Sequence, residues 1–174
     1  YTALFAVVSL LFINVLAFAI AYALTQNIKG SNLFRTVFFL PNLIGGIVLG
    51  YIWKTIFDGI LVYFNTAVVL ETKFGFWGLI ILLCWQQVGY MMIIYIAGLQ
   101  AIPEDMMEAA KIDGASKWQT LWKVIFPVAL PGVFTCAIMT FISAWNEYLL
   151  TCTLNSDKMF HTVPVAINAL RTQF

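Results

Sequence analysis

Charge is scarce in this sequence. Of its 174 residues 9 are Lys or Arg and 8 are Asp or Glu, 10% in all, against 62% hydrophobic. A soluble domain carries about a quarter charged residues, so this chain has too few polar groups to cover a folded surface in water. The net charge is +1, and no basic run or aromatic–basic interleaving is present, which argues against a nucleic-acid partner. Histidine is nearly absent. His161 stands alone, with no HExxH motif and no Ser-His-Asp arrangement around it. A phosphate loop of the form GxxxxGK[ST] is missing too, so the chain does not itself hydrolyse ATP. It reads as a non-enzyme that calls for no cofactor and no metal. The three cysteines, Cys84, Cys136 and Cys152, lack CxxC spacing. The first two lie inside apolar segments and read as small buried hydrophobes rather than disulfide or zinc partners. There is no initial Met and no basic n-region, so no signal peptide is visible. The sequence starts and stops in mid-pattern, and is expected to be an internal piece of a longer protein, truncated at both ends.

What it does have is long apolar runs. A bilayer needs about 20 apolar residues as a helix. Ala3 to Leu24 is uncharged and long enough. A second run covers about 33–53, with Arg35 near its start and Pro41 inside, where a membrane helix tolerates proline if neighbours satisfy the freed backbone. The stretch 54–75 is mixed, and its apolar pieces, Ile60 to Phe64 and Ala67 to Leu70, predict short interfacial helices. A third run covers 76–99 and a fourth about 128–150, with Pro131 near its start and Glu147 near its end. A polar turn at Asn155–Lys158 follows, then a mixed tail too short to span. The fold class is therefore all-α, a polytopic transmembrane helix bundle in one domain with four spans.

The positive-inside rule orients it. Lys29, Arg35, Lys111, Lys117 and Lys123 fall on one side, and Lys54, Lys73, Lys158 and Arg171 on the other. The bias, five to four, places 25–36 and 103–127 in the cytoplasm, with Tyr1 and 54–75 outside. Trp53, Trp77 and Tyr148 sit near span ends, as an aromatic belt requires.

The connection 103–127 is the most informative segment. Pro103 suits a first helical turn, and Glu104 and Asp105 complement the helix dipole there. Glu108, Ala109 and Ala110 are good helix formers. Asp113-Gly114 is a stop-and-turn signal, and Ser116 caps a second short helix, expected over Ser116–Phe126, before Pro127 opens the fourth span. Met106, Met107, Ala109, Ala110 and Ile112 give the first helix an apolar surface of small and flexible groups. Two readings fit these residues: a helix inserted in a groove of a partner protein, or an amphipathic loop lying on the membrane.

Glu108-Ala109-Ala110, three residues, Gly114, nine residues, Val124, one residue and Phe126-Pro127 resemble the EAA loop of binding-protein-dependent ABC importer permeases, whose pattern is EAA, x3, G, x9, I, x, LP. Val124 and Phe126 depart from its Ile and Leu but stay apolar. Gly30 to Thr36 with Phe39-Leu40-Pro41, Ile52-Trp53-Lys54 with Phe57-Asp58-Gly59, and Ser143 to Tyr148 are similar to further family stretches, the last to the sugar-type branch. The first half resembles one of the two permease types that pair in sugar importers, and Trp145 to Pro164 the other.

The resemblance implies a type I importer-like permease fold in the bacterial cytoplasmic (inner) membrane. It also implies a second permease subunit, two cytoplasmic ATP-binding subunits and an extracytoplasmic solute-binding protein, with lipid around the spans. The substrate it points to is a carbohydrate or related polyol; amino acids, polyamines or another small solute are the alternative. The ATPase-coupling residues it implies are Met107, Glu108, Ala109, Ala110, Asp113 and Gly114. A self-contained secondary transporter would need ionisable residues paired at the midplane, whereas the charges here lie near ends and in loops.

Polar groups at membrane depth face either the bundle interior or a water-filled path. Asn14 reads as interhelical glue. Gln86, Gln87 and Tyr90, with Trp85 and Asn146, read either as a path, with amides for sugar hydroxyls and aromatic rings for a sugar face, or as packing. Glu147 reads as snorkelling to the outer surface. Gly46 and Gly50 form a GxxxG pair that permits close helix approach.

Overall fold

The computed structural model describes residues 1–26, 28–64, 72–154 and 161–171. Among them every regular element is helical. In chain order these are α1 (Thr2–Leu24), α2 (Ser31–Leu43), α3 (Gly46–Leu61), α4 (Thr72–Gln100), α5 (Glu104–Ile112), α6 (Lys117–Thr120), α7 (Phe126–Trp145), α8 (Leu149–Leu154) and α9 (Val163–Arg171). The polar turn expected at Asn155–Lys158 and the apolar piece Ala67–Leu70 lie outside the described residues.

α4 is the axis. Its 29 residues make a rod of about 43 Å at 1.5 Å per residue, longer than the apolar core of a bilayer. Over half of its apolar window is buried, 56% against 33% for α1. α1, α2 and α7 pack on it, and α1 also packs on α7. The α1 face turned inward repeats every three to four residues: Phe5, Ala6, Ser9, Ile13, Ala17, Ala21 and Leu24. Small side chains at four of these positions let α4 come close. Leu79, Leu82, Leu83, Met91 and Met92 of α4 complete a fully buried seam.

The run expected as a span over 33–53 is broken into two helices, which pass together as long and apolar enough for one span. α2 and α3 meet at an angle of 100°, and neither reaches 30 Å alone at about 20 and 24 Å. Pro41 cannot donate a backbone hydrogen bond, and Ile44 and Gly45 then leave helical geometry, with ψ of 130° and 134°. α2 lies against α4 where Gly89 has no side chain: a Cβ there would collide with the carbonyl of Phe38, and would sit 2.9 Å from the amide nitrogen of Phe39. α3 turns Gly46 and Gly50 toward α8. A Cβ on Gly50 would strike the Thr153 side chain, so the GxxxG pair is a packing face.

The fourth apolar run also begins earlier than expected. A helix continues from Lys117 to Trp145 over 29 residues, so no separate short helix ends at Phe126. Leu121–Ile125 within it is a π turn. Pro127 comes two residues after it and has no N–H for the Lys123 carbonyl, which is where an α-helical ladder would have to close.

At the other end of the bundle the chain is laced together by hydroxyls. Thr162 Oγ1 donates to the Glu147 carbonyl (3.0 Å), and the Val163 amide donates to Thr2 Oγ1 (3.0 Å). Glu147 does not snorkel outward: its Oε1 accepts the Leu150 amide at 2.9 Å, capping the start of α8.

Candidate functional site

Two regions gather the residues singled out in the sequence. The first is α5 with the turn after it. Pro103 is its N-cap, and Glu104 and Asp105 occupy its first turn. The helix ends in a Schellman motif: the Ala115 amide donates to the Ala110 carbonyl (3.0 Å) and the Gly114 amide to the Lys111 carbonyl (3.1 Å). Asp113 is the C-cap, and Gly114 takes φ 72°, the left-handed geometry that glycine adopts without cost. Ser116 then opens the next helix through a capping box. Its hydroxyl accepts the Gln119 amide (3.3 Å), and Gln119 Oε1 accepts the Ser116 amide (2.8 Å).

α5 therefore has a hydrogen-bonded C-terminal turn and an uncovered body. Of its residues only Ala110 is buried, while Glu108 and Ala109 are exposed. Met106 (40%), Met107 (38%) and Ile112 (85%) also show apolar surface. Behind the helix, Met107 shares a cleft of about 160 Å³ with Tyr22, Gln26, Leu99, Ile102 and Ile125.

The second region is the middle of α4. Gln86 and Gln87 are half-buried, and among the described residues neither side chain makes a hydrogen bond. Tyr90, one turn on, packs against the core, on the same side of the helix as Gln86 and Gln87. Trp85 is displaced from that side. It is exposed and meets Trp53 of α3 edge to face at 5.3 Å. Asn146 is not drawn into the group: it is exposed, caps α7, and donates its amide to the Ile142 carbonyl at 2.8 Å.

Asn14 ties three helices. Tyr95 of α4 donates its hydroxyl to Asn14 Oδ1 at 2.6 Å, and Asn14 Nδ2 donates to the Leu10 carbonyl (2.8 Å) and to Thr140 Oγ1 of α7 (3.3 Å). Tyr95 and Thr140 are buried, so Asn14 is the interhelical glue its depth suggested. From this knot a line of aromatic rings runs toward α5. Tyr95 meets Phe18 (5.4 Å), Phe18 meets Phe126 (5.8 Å), and Phe126 meets Trp122 in the π turn (5.1 Å). The sequence signalled Asn14, but neither its partners Tyr95 and Thr140 nor this alignment of rings from three separate elements.

Residues 13–174 match the family described as binding-protein-dependent transport system inner membrane component. The whole chain is 37% identical to the probable starch degradation products transport system permease protein AmyD of Thermoanaerobacterium thermosulfurigenes, covering 63% of that protein. Over 76% of its length it is 36% identical to the multiple sugar-binding transport system permease protein MsmF of Streptococcus mutans, covering 50% of it. The chain thus spans less than two thirds of the curated relatives it matches. Among solved structures, a chain of a bacterial alginate ABC transporter in complex with an alginate pentasaccharide-bound periplasmic protein superposes over 99% of this chain and 65% of its own length. The TM-score is 0.86 at 17% identity, which establishes the shared fold.

Proposed function

The chain belongs to the family of binding-protein-dependent transport system inner membrane components, a multi-pass membrane family, and from that premise we propose that it forms half of the translocation pathway of an ATP-driven importer for a carbohydrate or related solute. A second permease subunit would complete the pathway. Two ATP-binding subunits would dock on α5 from the cytoplasm, and a solute-binding protein would deliver substrate at the opposite face of the bacterial inner membrane. ATP hydrolysis belongs to those partner subunits.

The observation that carries this reading is α5, a short helix tied at its C-terminal end by a Schellman turn and a capping box, joined to a long helix on each side, yet exposed along its body. Closure of an ATPase pair can move membrane helices only through a body that both partners grip. Ala109, exposed, keeps its face of the helix low enough to sit deep in a groove, the methionines adapt to its walls, and Ala110, buried, lets its own face pack on the bundle. The break between α2 and α3 supports a partner in the membrane. Gly45 is exposed in extended geometry, and non-helical backbone at membrane depth persists only against protein or a water-filled cavity. Sugar relatives and the unbonded amides of Gln86 and Gln87 support a hydroxyl-rich solute.

The test uses the full-length protein with its subunits. Glu108→Lys places a repulsive charge on the docking face. Gly114→Val puts a β-branched residue at φ 72°, which costs about 1–2 kcal/mol, while Gly114→Asn tolerates that geometry. Both Glu108→Lys and Gly114→Val should insert normally yet lose ATPase copurification and transport, with Gly114→Asn close to the parent. Parent-like assembly and transport by both would remove α5 as the coupling element.

A further inference from the structure

A groove of about 700 Å³ runs between α1 and the long helix that starts at Lys117, walled by Val15, Phe18, Ala19, Trp122 and Phe126. Its walls are apolar nearly throughout. Asn14 and Tyr95 reach it, but they bond to each other and to Thr140, so they offer a polar solute little. One end differs. There Lys117 is the single charged lining residue, with Gln26 beside it, and among the described residues no carboxylate is paired with Lys117. Trp118 (69% exposed) and Trp122 (57%) flank this end, the side chains that settle at the headgroup level of a bilayer.

An apolar trough with one free cation at its mouth is complementary to an amphiphile with one anionic end. We propose that the groove holds an acyl chain of an anionic glycerophospholipid from the leaflet on the α5 side, with its phosphate against Lys117 and Gln26. Basic pockets between membrane helices hold anionic headgroups in this way. The chain alone cannot give selectivity, because lipid tails and apolar side chains are equivalent surroundings for it. The headgroup contact must supply it, and one lysine near the membrane surface is worth about a fivefold preference for an anionic lipid. The site lies beside Tyr22 and Gln26, which also line the cleft behind Met107, so a bound lipid would border the segment that carries α5. The inference rests on membrane residence and on this groove, and uses neither the solute nor the ATPase reading.

The test is lipid retention by the purified full-length protein, with whatever subunits accompany it, after reconstitution in equimolar phosphatidylcholine and phosphatidylglycerol. Mass spectrometry of retained lipid should give about fivefold enrichment of phosphatidylglycerol. Lys117→Gln should abolish the enrichment, and Ala19→Trp, which fills the trough from an exposed position, should lower the retained lipid. Should Ala19→Trp fail to assemble, the Lys117→Gln comparison decides alone. Equal retention of the two lipids, enrichment that survives Lys117→Gln, or photo-crosslinking from position 19 to a protein helix instead of lipid would overturn the proposal.

Discussion

Replacing Asn14 with Leu should destabilise the bundle, and its size can be worked from the bonds it removes. The bond to the Leu10 carbonyl is local to one helix turn, and the 3.3 Å contact with Thr140 is long. The 2.6 Å bond from Tyr95 carries most of the effect. A buried hydroxyl left without its partner costs about 1–3 kcal/mol, but side-chain bonds between membrane helices average about 0.6 kcal/mol and reach about 1.7. The membrane-protein values apply to a bond between helices in a bilayer, which favours the lower figures. The expected loss is about 1 kcal/mol. Tyr95→Phe should lose a similar amount, and the double variant little more than either single one, because both remove one shared bond. Thermal or denaturant unfolding of the four proteins in detergent measures this cycle. Strictly additive losses would show that Asn14 and Tyr95 are not coupled, and the knot would then be ordinary packing.

Gly89→Ala must push α2 off α4 and should cost about 1–3 kcal/mol as overpacking does, with faster tryptic cleavage around Lys29 and Arg35. Gly98→Ala, on the same helix with nothing within 4 Å of its Cβ, should be neutral, and equal behaviour of the two would refute the crossing. Cysteine at Ser116 should react in sealed cells with permeant maleimides alone, and labelling by an impermeant reagent would invert the orientation. Gln87→Ala and Tyr90→Ala should reduce transport more than ATPase assembly; normal transport by both would leave those side chains with a packing role.

α1 and α4 are legible in the sequence because an uncharged apolar run of helical length has few alternatives in a membrane. α5 is legible for a different reason. Pro103, Gly114 and Ser116 punctuate it locally, the first two through their backbone geometry and Ser116 through a hydroxyl that caps the next helix. The run 33–53 hides its break because hydropathy counts residues and does not see the backbone change direction at Ile44 and Gly45. The fourth run misleads at its start, since Lys117, Lys123 and Pro127 set a short helix over Ser116–Phe126 apart from the span, whereas the two run on as one helix with both lysines exposed. The partners of Asn14 lie 81 and 126 residues away, so its depth could be guessed from the sequence but its contacts could not. Asn146 read as a path residue by depth alone, whereas its amide is spent on the end of its own helix.

The π turn at Leu121–Ile125 puts the two halves of the long helix out of phase. A turn that closes five residues back holds one residue more than its neighbours. At 3.6 residues per turn each residue advances the helix by about 100°. Lys117 and Trp118 therefore point about a quarter-turn away from where an unbroken α-helix ending at Trp145 would aim them. Were the extra residue passed along the helix toward either end, the α5 side would swivel about the α7 axis while every helix kept its length. A one-residue deletion within 121–125 would freeze that swivel in a single setting.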